Sequence, residues 1–279
     1  MAKVGRHISA AGSISFSVER AMELGCNTMQ VFVTNPRGWA VSAGEKAADS
    51  EFSDLAEQSG LVPMCAHMPY LPNLASPDPD IHRKSIASLK ENLARCNDLG
   101  IRYLVTHLGS DKGAGHGLGI DRVIDALDRV AGDAADVIIL LENQAGHRNS
   151  IGADLSDLET IYSRTRLAES GNLGFCLDTC HLFEAGYDIR KKDAIVKMFE
   201  RVDLQKVHAF HVNDAKFGFG ERHDRHDNIG MGSVGVGGFR TLLEYKDVNR
   251  KLLILETPEC ASVTWKDEIS LIRSLAERN

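Results

Sequence analysis

The sequence predicts an α/β fold, a single-domain (β/α)8 TIM barrel, and three observations point there. Short apolar runs rich in β-branched residues recur eight times along 279 residues. Segments with helical spacing separate most of them, and no Pro/Gly/Ser-rich linker or charge block divides the chain, so residues 1–279 read as one domain. A doubly wound open sheet is the structural rival, because it also alternates strand and helix.

The predicted strands are Lys3–Ile8, Thr28–Val33, Val62–Ala66, Tyr103–Thr106, Val137–Leu141, Gly174–Leu177, Val207–Phe210 and Leu252–Leu255. Runs this short and this apolar, each closed by a polar cluster, suit strands buried on both faces of a parallel sheet. The helical segments have apolar residues at steps of three and four. In Ile81–Gly100 these are Ile86, Leu89, Leu93, Cys96 and Leu99, with Gly100 as the C-terminal stop. Asp121–Val130, Ile195–Val202 and Trp265–Leu275 repeat the pattern, and Ser13, Ser53 and Asp154 are the expected N-caps. The longest irregular stretch, Asn213–Gly238, is rich in Gly, His and Asp, and a long loop inside a compact domain is usually functional.

Composition excludes several classes. The chain is 43% hydrophobic and 25% charged, which is globular rather than disordered. The longest apolar runs, Val137–Leu141 among them, are too short to span a bilayer, and the N-terminus lacks the apolar stretch of a signal peptide. A cytoplasmic protein with no membrane partner is expected. Six cysteines without a C-x-x-C pair fit buried free thiols. The formal net charge of −7 counts mildly against a general nucleic-acid binder.

The chemistry lies at the strand ends. The residues closing the last six strands are His67, His107, Glu142, Asp178, His211 and Glu256. Their separations of 40, 35, 36, 33 and 45 residues are each about one βα unit. A barrel gathers all six on its C-terminal rim, where barrel enzymes keep their sites. A lone His or Glu at a strand end is more often a hydrogen-bonded rim residue. Six out of six, all nitrogen or oxygen donors suited to Zn²⁺ or Mn²⁺, is not readily explained that way. His181 follows Asp178 by three residues, and Asp224 and His226 flank an arginine in the long loop. Five imidazoles and four carboxylates suffice for three ions if one carboxylate bridges, and Glu142 is the natural bridge. Imidazole-rich ligation favours Zn²⁺ over Mg²⁺.

The chain resembles the endonuclease IV family of metal-dependent apurinic/apyrimidinic endonucleases. The matching segments begin with Asn35-Pro36-Arg37, His67-Met-Pro-Tyr70-Leu71-Pro-Asn73, Thr106-His107-Leu-Gly-Ser110 and Leu141-Glu142-Asn-Gln-Ala-Gly146. They continue with Cys176-Leu-Asp178-Thr-Cys-His181, His211-Val-Asn213-Asp214-Ala-Lys216, Asp224-Arg-His226-Asp-Asn-Ile-Gly230-Met-Gly232 and Ile254-Leu-Glu256-Thr-Pro258. They are in family order and span nearly the whole chain. Two segments depart from the usual motifs: Leu108 stands where Pro is typical, and Val212 and Ala215 stand for Leu and Ser. None is a donor, but Ala215 removes a hydroxyl beside Lys216.

The resemblance implies three Zn²⁺ per chain, or Mn²⁺ at one position. His67, His107 and Glu142 would hold one ion, Glu142, Asp178, His211 and Glu256 a second, and His181, Asp224 and His226 the third. It further implies hydrolysis of the phosphodiester 5′ to an abasic site in duplex DNA, trimming of blocked 3′ ends, and a monomer. Clustered metals lower the pKa of bound water toward 7 and stabilise the anionic diester. Glu142 and Glu256 are the catalytic carboxylates in this reading. Arg37, Tyr70 and Leu71 are candidates for a wedge that enters the minor groove at the base gap, with Asn73 shaping that loop. Lys216, Arg222 and Arg225 are candidates for phosphate contacts or for securing the long loop. His7, at the end of the first strand, reads as a neighbour of the site rather than a ligand. One rival is a metal-dependent sugar isomerase or epimerase on the same barrel, which does not need the His181, Asp224 and His226 set. A DNA-lesion binding protein with structural zinc is the other. Three divalent ions would bring the net −7 to about −1, with the gain concentrated on the rim.

Overall fold

The computed structural model describes residues 1–39 and 46–277. Eight parallel strands close on themselves in the order β1-β10-β7-β6-β5-β4-β3-β2. They are β1 (Lys3–Ile8), β2 (Gln30–Val31), β3 (Cys65–His67), β4 (Tyr103–His107), β5 (Ile138–Glu142), β6 (Leu173–Asp178), β7 (Val207–His211) and β10 (Leu252–Leu255). A two-residue antiparallel ribbon, β8 (Asp214–Ala215) with β9 (His226–Asp227), sits outside the barrel in the loop after β7. The open-sheet rival is thereby excluded. No described helix is long and apolar enough to cross a membrane.

Strand alternation sorts the side chains into two cores. Cys65, Val105, Ile138, Leu140, Cys176, Ala209, Leu252 and Ile254 form a cluster inside the barrel. The intervening residues, such as Ala66, Leu104, Leu141, Leu177 and Phe210, pack in the larger cluster shared with the helices. Two residues beyond an interior position the chain again points inward. Cys65 thus leads to His67, Val105 to His107, Leu140 to Glu142, Cys176 to Asp178, Ala209 to His211 and Ile254 to Glu256. Register sets these donors beside one another, with His107 opposite Glu142 and Asp178 opposite His211. Gly5 on β1 has no room for a side chain, since a Cβ there would lie 1.9 Å from the Thr28 carbonyl oxygen.

Several boundaries differ from those expected. The third strand starts at Cys65 rather than Val62, and Pro63 has no N–H to offer a ladder. The second strand shortens to Gln30–Val31. The helix expected over Ile81–Gly100 is Pro79–Asp98, because Asp78 caps it through the Asp80 and Ile81 N–H groups at 2.8 and 3.1 Å and Pro79 fits the first turn. The helix expected from Asp121 begins at His116 despite two glycines. One of them, Gly119, lets the helix approach Ile151, whose Cδ1 would lie 2.8 Å from a Cβ. Asp154 caps its helix, accepting from the Ser156 N–H at 3.0 Å. Ser13 precedes the helix Ser15–Glu23 by two residues, and its hydroxyl accepts from the Ser15 N–H at 3.3 Å, while Ile14 between them is already in a helical conformation. Ser53 lies inside helix Lys46–Gln58, where its hydroxyl donates to the Asp49 carbonyl at 3.0 Å.

The stretch expected to be irregular, Asn213–Gly238, is well tied. Buried Asp214 accepts main-chain N–H groups of Gly230 at 2.9 Å, Val234 at 2.9 Å and Gly235 at 3.1 Å. Buried Glu268 accepts from Ile229 N–H at 2.7 Å. The helix Gly235–Leu243 already begins within the stretch.

Candidate metal centre

The nine predicted donors converge at the rim in overlapping groups, one of which also brings Cys180, not predicted as a donor, to Asp178 and His226. Ligand atoms of His67, His107 and Glu142 lie within 4.8 Å of one another, as do those of Glu142, Asp178, His211 and Glu256, and those of His181, Asp224 and His226. Glu142 is shared by the first two of these, and His67, Asp178, His211, His226 and Glu256 also occur in more than one grouping. Its Oε2 is 3.1 Å from His67 Nε2 and 2.8 Å from His107 Nε2, while Oε1 is 2.8 Å from His211 Nδ1.

The far side of each ring shows which nitrogen carries the proton. His67 Nδ1 lies 2.7 Å from the Met68 carbonyl and His181 Nδ1 lies 2.9 Å from the Asn143 carbonyl. A carbonyl only accepts, so Nδ1 donates in both and Nε2 is left facing the carboxylates. The Nε2 atoms of His181 and His226 are buried without a hydrogen-bond partner among the described residues. Yet His181 Nε2 is 3.2 Å from Asp224 Oδ1, and His226 Nε2 is 3.5 Å from Asp178 Oδ2 and 3.6 Å from Asp224 Oδ1. Imidazole nitrogens and carboxylate oxygens that converge at 3.2–3.6 Å are suited to a shared cation, and the mixed N/O donor set fits Zn²⁺ or Mn²⁺.

The electrostatics agree. Burial opposes ionisation of Glu142, but the His107 and His211 rings outweigh it and hold its carboxyl well below the usual range. Burial likewise opposes protonation of His181, and the Asp178, Asp224 and Glu142 carboxylates outweigh it, raising the imidazole well above its ordinary value. The site is therefore a nest of negative charge that recruits protons when nothing else neutralises it.

Three amides hold the donors in place, and sequence reasoning did not assign them a role. Gln30 on β2 donates through Nε2 to Glu256 Oε1 at 2.6 Å and accepts through Oε1 from His211 Nε2 at 2.9 Å. Asn213 donates to Asp178 Oδ2 at 2.7 Å and accepts from Glu256 N–H at 2.7 Å. Asn143 accepts from Asp178 N–H at 2.7 Å. A signal was available for each. Gln30 is a polar residue inside an apolar run, and the two asparagines follow a donor by one or two positions. His7 is not among the converging donors. Burial lowers its pKa, and Nδ1 is 3.0 Å from Gln30 Nε2.

A cavity of about 600 Å³ opens over the donors, with Tyr70 and Arg225 in its wall. Tyr70 is 69% exposed, stands edge-on to Phe32 at 5.3 Å, and its N–H donates to Pro36 O at 3.3 Å, which joins the loops after β2 and β3. Arg37, Leu71 and Lys216 are exposed and do not line the cavity. Asn73 is committed to its own loop: Oδ1 accepts from Ala75 and Ser110 N–H, and Nδ2 donates to Ser110 O at 2.9 Å. Arg225 Nη1 donates to Asp224 O at 2.7 Å. Arg222 packs over Gly146, where a Cβ would come 3.3 Å from its Cγ. The departures Leu108, Val212 and Ala215 are all buried core residues.

The family model described as the xylose isomerase-like TIM barrel matches residues 18–275. A protein of Methanoculleus marisnigri named probable endonuclease 4 is 43% identical, over 99% of each chain. One of Cenarchaeum symbiosum with the same name is 42% identical, over 98% of this chain and 99% of that one. Among solved structures, endonuclease IV from Thermus thermophilus superposes with a TM-score of 0.87 at 32% identity, covering 99% of this chain and 100% of that one.

Two outcomes follow from the geometry. Gln30→Ala should weaken Zn²⁺ binding roughly 10–100-fold, the usual cost of losing a group that orients metal ligands. Competition against a chromogenic chelator measures it, and parental affinity would contradict the role. The second outcome concerns pH in the metal-free protein. The raised His181 contributes stability that is complete below its unfolded value of about 6.5 and is lost as pH rises through its higher folded value. The depressed Glu142 contributes stability above its unfolded value near 4.5 that is lost as pH falls through its lower folded value. Metal-free protein should therefore melt at falling temperature as pH is raised above neutrality, whereas Zn²⁺-loaded protein should not, since metal binding needs deprotonated ligands. Parallel melting curves for the two forms would contradict the assignment.

Proposed function

The chain belongs to the endonuclease IV family of xylose isomerase-like TIM barrels, and from that premise we propose that it incises duplex DNA at abasic sites. The bond cut is the phosphodiester 5′ to the lesion, leaving a 3′-hydroxyl and a 5′-deoxyribose phosphate, and blocked 3′ ends are trimmed at the same centre. The observation that carries this reading is the third donor group, His181, Asp224 and His226, beside the two that share Glu142. A sugar isomerase on the same barrel has no use for it.

His67, His107 and Glu142 would hold one Zn²⁺; Glu142, Asp178, His211 and Glu256 a second; His181, Asp224 and His226 a third, with Mn²⁺ the alternative at one position. When bound, the ions supply water activated at neutral pH and positive charge against an anionic diester. Glu142, its two oxygens turned toward different histidines, is the carboxylate assigned to orient the attacking water. Glu256 assists, steadied by Gln30 and Asn213. Arg225 in the cavity wall and Lys216 outside it are the residues assigned to phosphate contact in this reading.

Recognition of the lesion falls to the loops after β2 and β3. Exposed Tyr70 and Leu71, with Arg37 alongside, are assigned to the gap left by the missing base, where the cost of unstacking is lowest. Asn73 contributes by bracing that loop. The DNA partner is a duplex with abasic sites or blocked 3′ ends.

Metal-loaded protein should incise a duplex carrying one synthetic abasic site. Glu142→Ala should lower the rate by roughly 10²–10³-fold or more, the scale of losing one electrostatic catalytic group. A fully metallated protein that leaves the duplex intact would sink the endonuclease reading, and ketose–aldose interconversion would replace it. Tyr70→Ala combined with Leu71→Ala should weaken binding to the abasic duplex roughly tenfold or more, from about 1–3 kcal/mol per base-stacking contact. Its zinc content should match the parent's; unchanged DNA affinity would reject the wedge.

A further inference from the structure

The loop that carries Asp224 is fastened from two sides by residues outside the donor set. The His223 N–H donates to Glu184 Oε2 at 3.2 Å, and the next amide, Asp224 N–H, donates to His147 Nε2 at 3.3 Å. Glu184 ends the short helix Thr179–Glu184, which begins beside Asp178 and carries His181. His147 lies in the loop after β5, five residues beyond Glu142. Two further main-chain bonds run the same way, from Gly220 N–H to Phe183 O and from Arg222 N–H to Glu184 O, each at 3.2 Å.

Neither side chain is needed where it sits for packing alone. Glu184 is fully buried, and its Oε1 has no hydrogen-bond partner among the described residues. A carboxylate in such a place is costly, and an alanine would end the helix without that cost. His147 is exposed, so its ring is not held there by a core. The segment they grip carries one residue in a costly backbone conformation. Arg222 is in the left-handed region at φ 65°, a conformation that costs a non-glycine residue about 1 kcal/mol or more.

We propose that Glu184 and His147 are positioning residues. By gripping consecutive amides they fix the main chain at Asp224, so that its carboxylate meets His181 and His226, and they thereby set how tightly the third ion is held. This rests on reading His181, Asp224 and His226 as a metal site. It differs from the grip of Gln30 or Asn213, which bond the donor side chains themselves.

The test uses the full chain reconstituted with Zn²⁺, with zinc per chain and the affinity of the most weakly held ion measured by chelator competition. Glu184→Ala and His147→Ala should each weaken that ion roughly 10–100-fold and leave the other two in place. Glu184→Gln and His147→Gln, whose side-chain carbonyls still accept an N–H, should recover to within a few fold. Amide exchange at His223 and Asp224 in the metal-free protein should quicken in the alanine variants. Both alanine variants holding every ion at parental affinity, with both amides as protected as in the parent, would overturn the proposal. A parent chain that binds only two Zn²⁺ overturns the metal reading beneath it, and the parent alone reveals that before any variant is compared. Should Glu184→Ala fail to fold, exposed His147 still decides through its own pair of variants.

Discussion

The rim depends on one contrast of environment: an apolar plug in the lower barrel and, one layer above it, the fully buried carboxylates of Glu142 and Asp178. Leu140 and Glu142 are neighbours on the same inward face, and both are fully buried. A buried carboxylate without compensation is unstable by several kcal/mol. Compensation comes from imidazoles on adjacent strands, and the parallel register sets them there, His107 opposite Glu142 and His211 opposite Asp178. The same pairs that offset the charge leave imidazole nitrogens facing oxygens. The arrangement that keeps the metal-free chain folded is therefore also the one that receives cations.

That contrast explains the layer behind the donors. An imidazole between several carboxylates would turn toward whichever carried charge unless its other nitrogen were held. The Met68 and Asn143 carbonyls and the Gln30 amide hold it. Gln30 and Asn213 each bond two donors from different strands, so shifting one strand end would disturb two donor positions together. In the third group His181 is tied to the strand ends through Asp178 and the Asn143 carbonyl, and His226 through the Glu256 carbonyl, while Asp224 lies on a loop. The position of Asp224 itself is set by the neighbouring loops, through His147 and the residues around Glu184.

The fold was legible because its two periodicities coexist in one chain. Buried parallel strands must be short and apolar, and residue spacing near 36 marks one βα unit, so strand ends such as His107, Glu142 and Asp178 announced themselves. Boundaries were less legible, because they depend on local capping: Asp78 moved one helix start by two residues, and Ser53 looked like a cap while bonding back to its own helix. The amides stayed hidden for a related reason. Gln30 acts through partners 181 and 226 residues away, and nothing local to its apolar run signals them. Glu184 and His147 were hidden twice over, since they act on main-chain N–H groups and so do not depend on the side chain they position.

Net charge was misleading for the same physical reason that the site is informative. A formal −7 is a sum over the surface and the rim alike. Carboxylates of the donor set are not available to repel a phosphate once cations occupy the space between them, and their oxygens turn inward toward His107, His181 and His211. At the mouth Tyr70 and Arg225 stand in the wall beside partly exposed Asp224, with Arg37 and Lys216 exposed beyond it. Around the cavity, then, the sign of the field depends on metal occupancy, and an anionic duplex would meet a favourable rim only on the loaded protein. A formal net charge is thus a poor guide to the rim, because four of the carboxylates counted in it converge in the donor set.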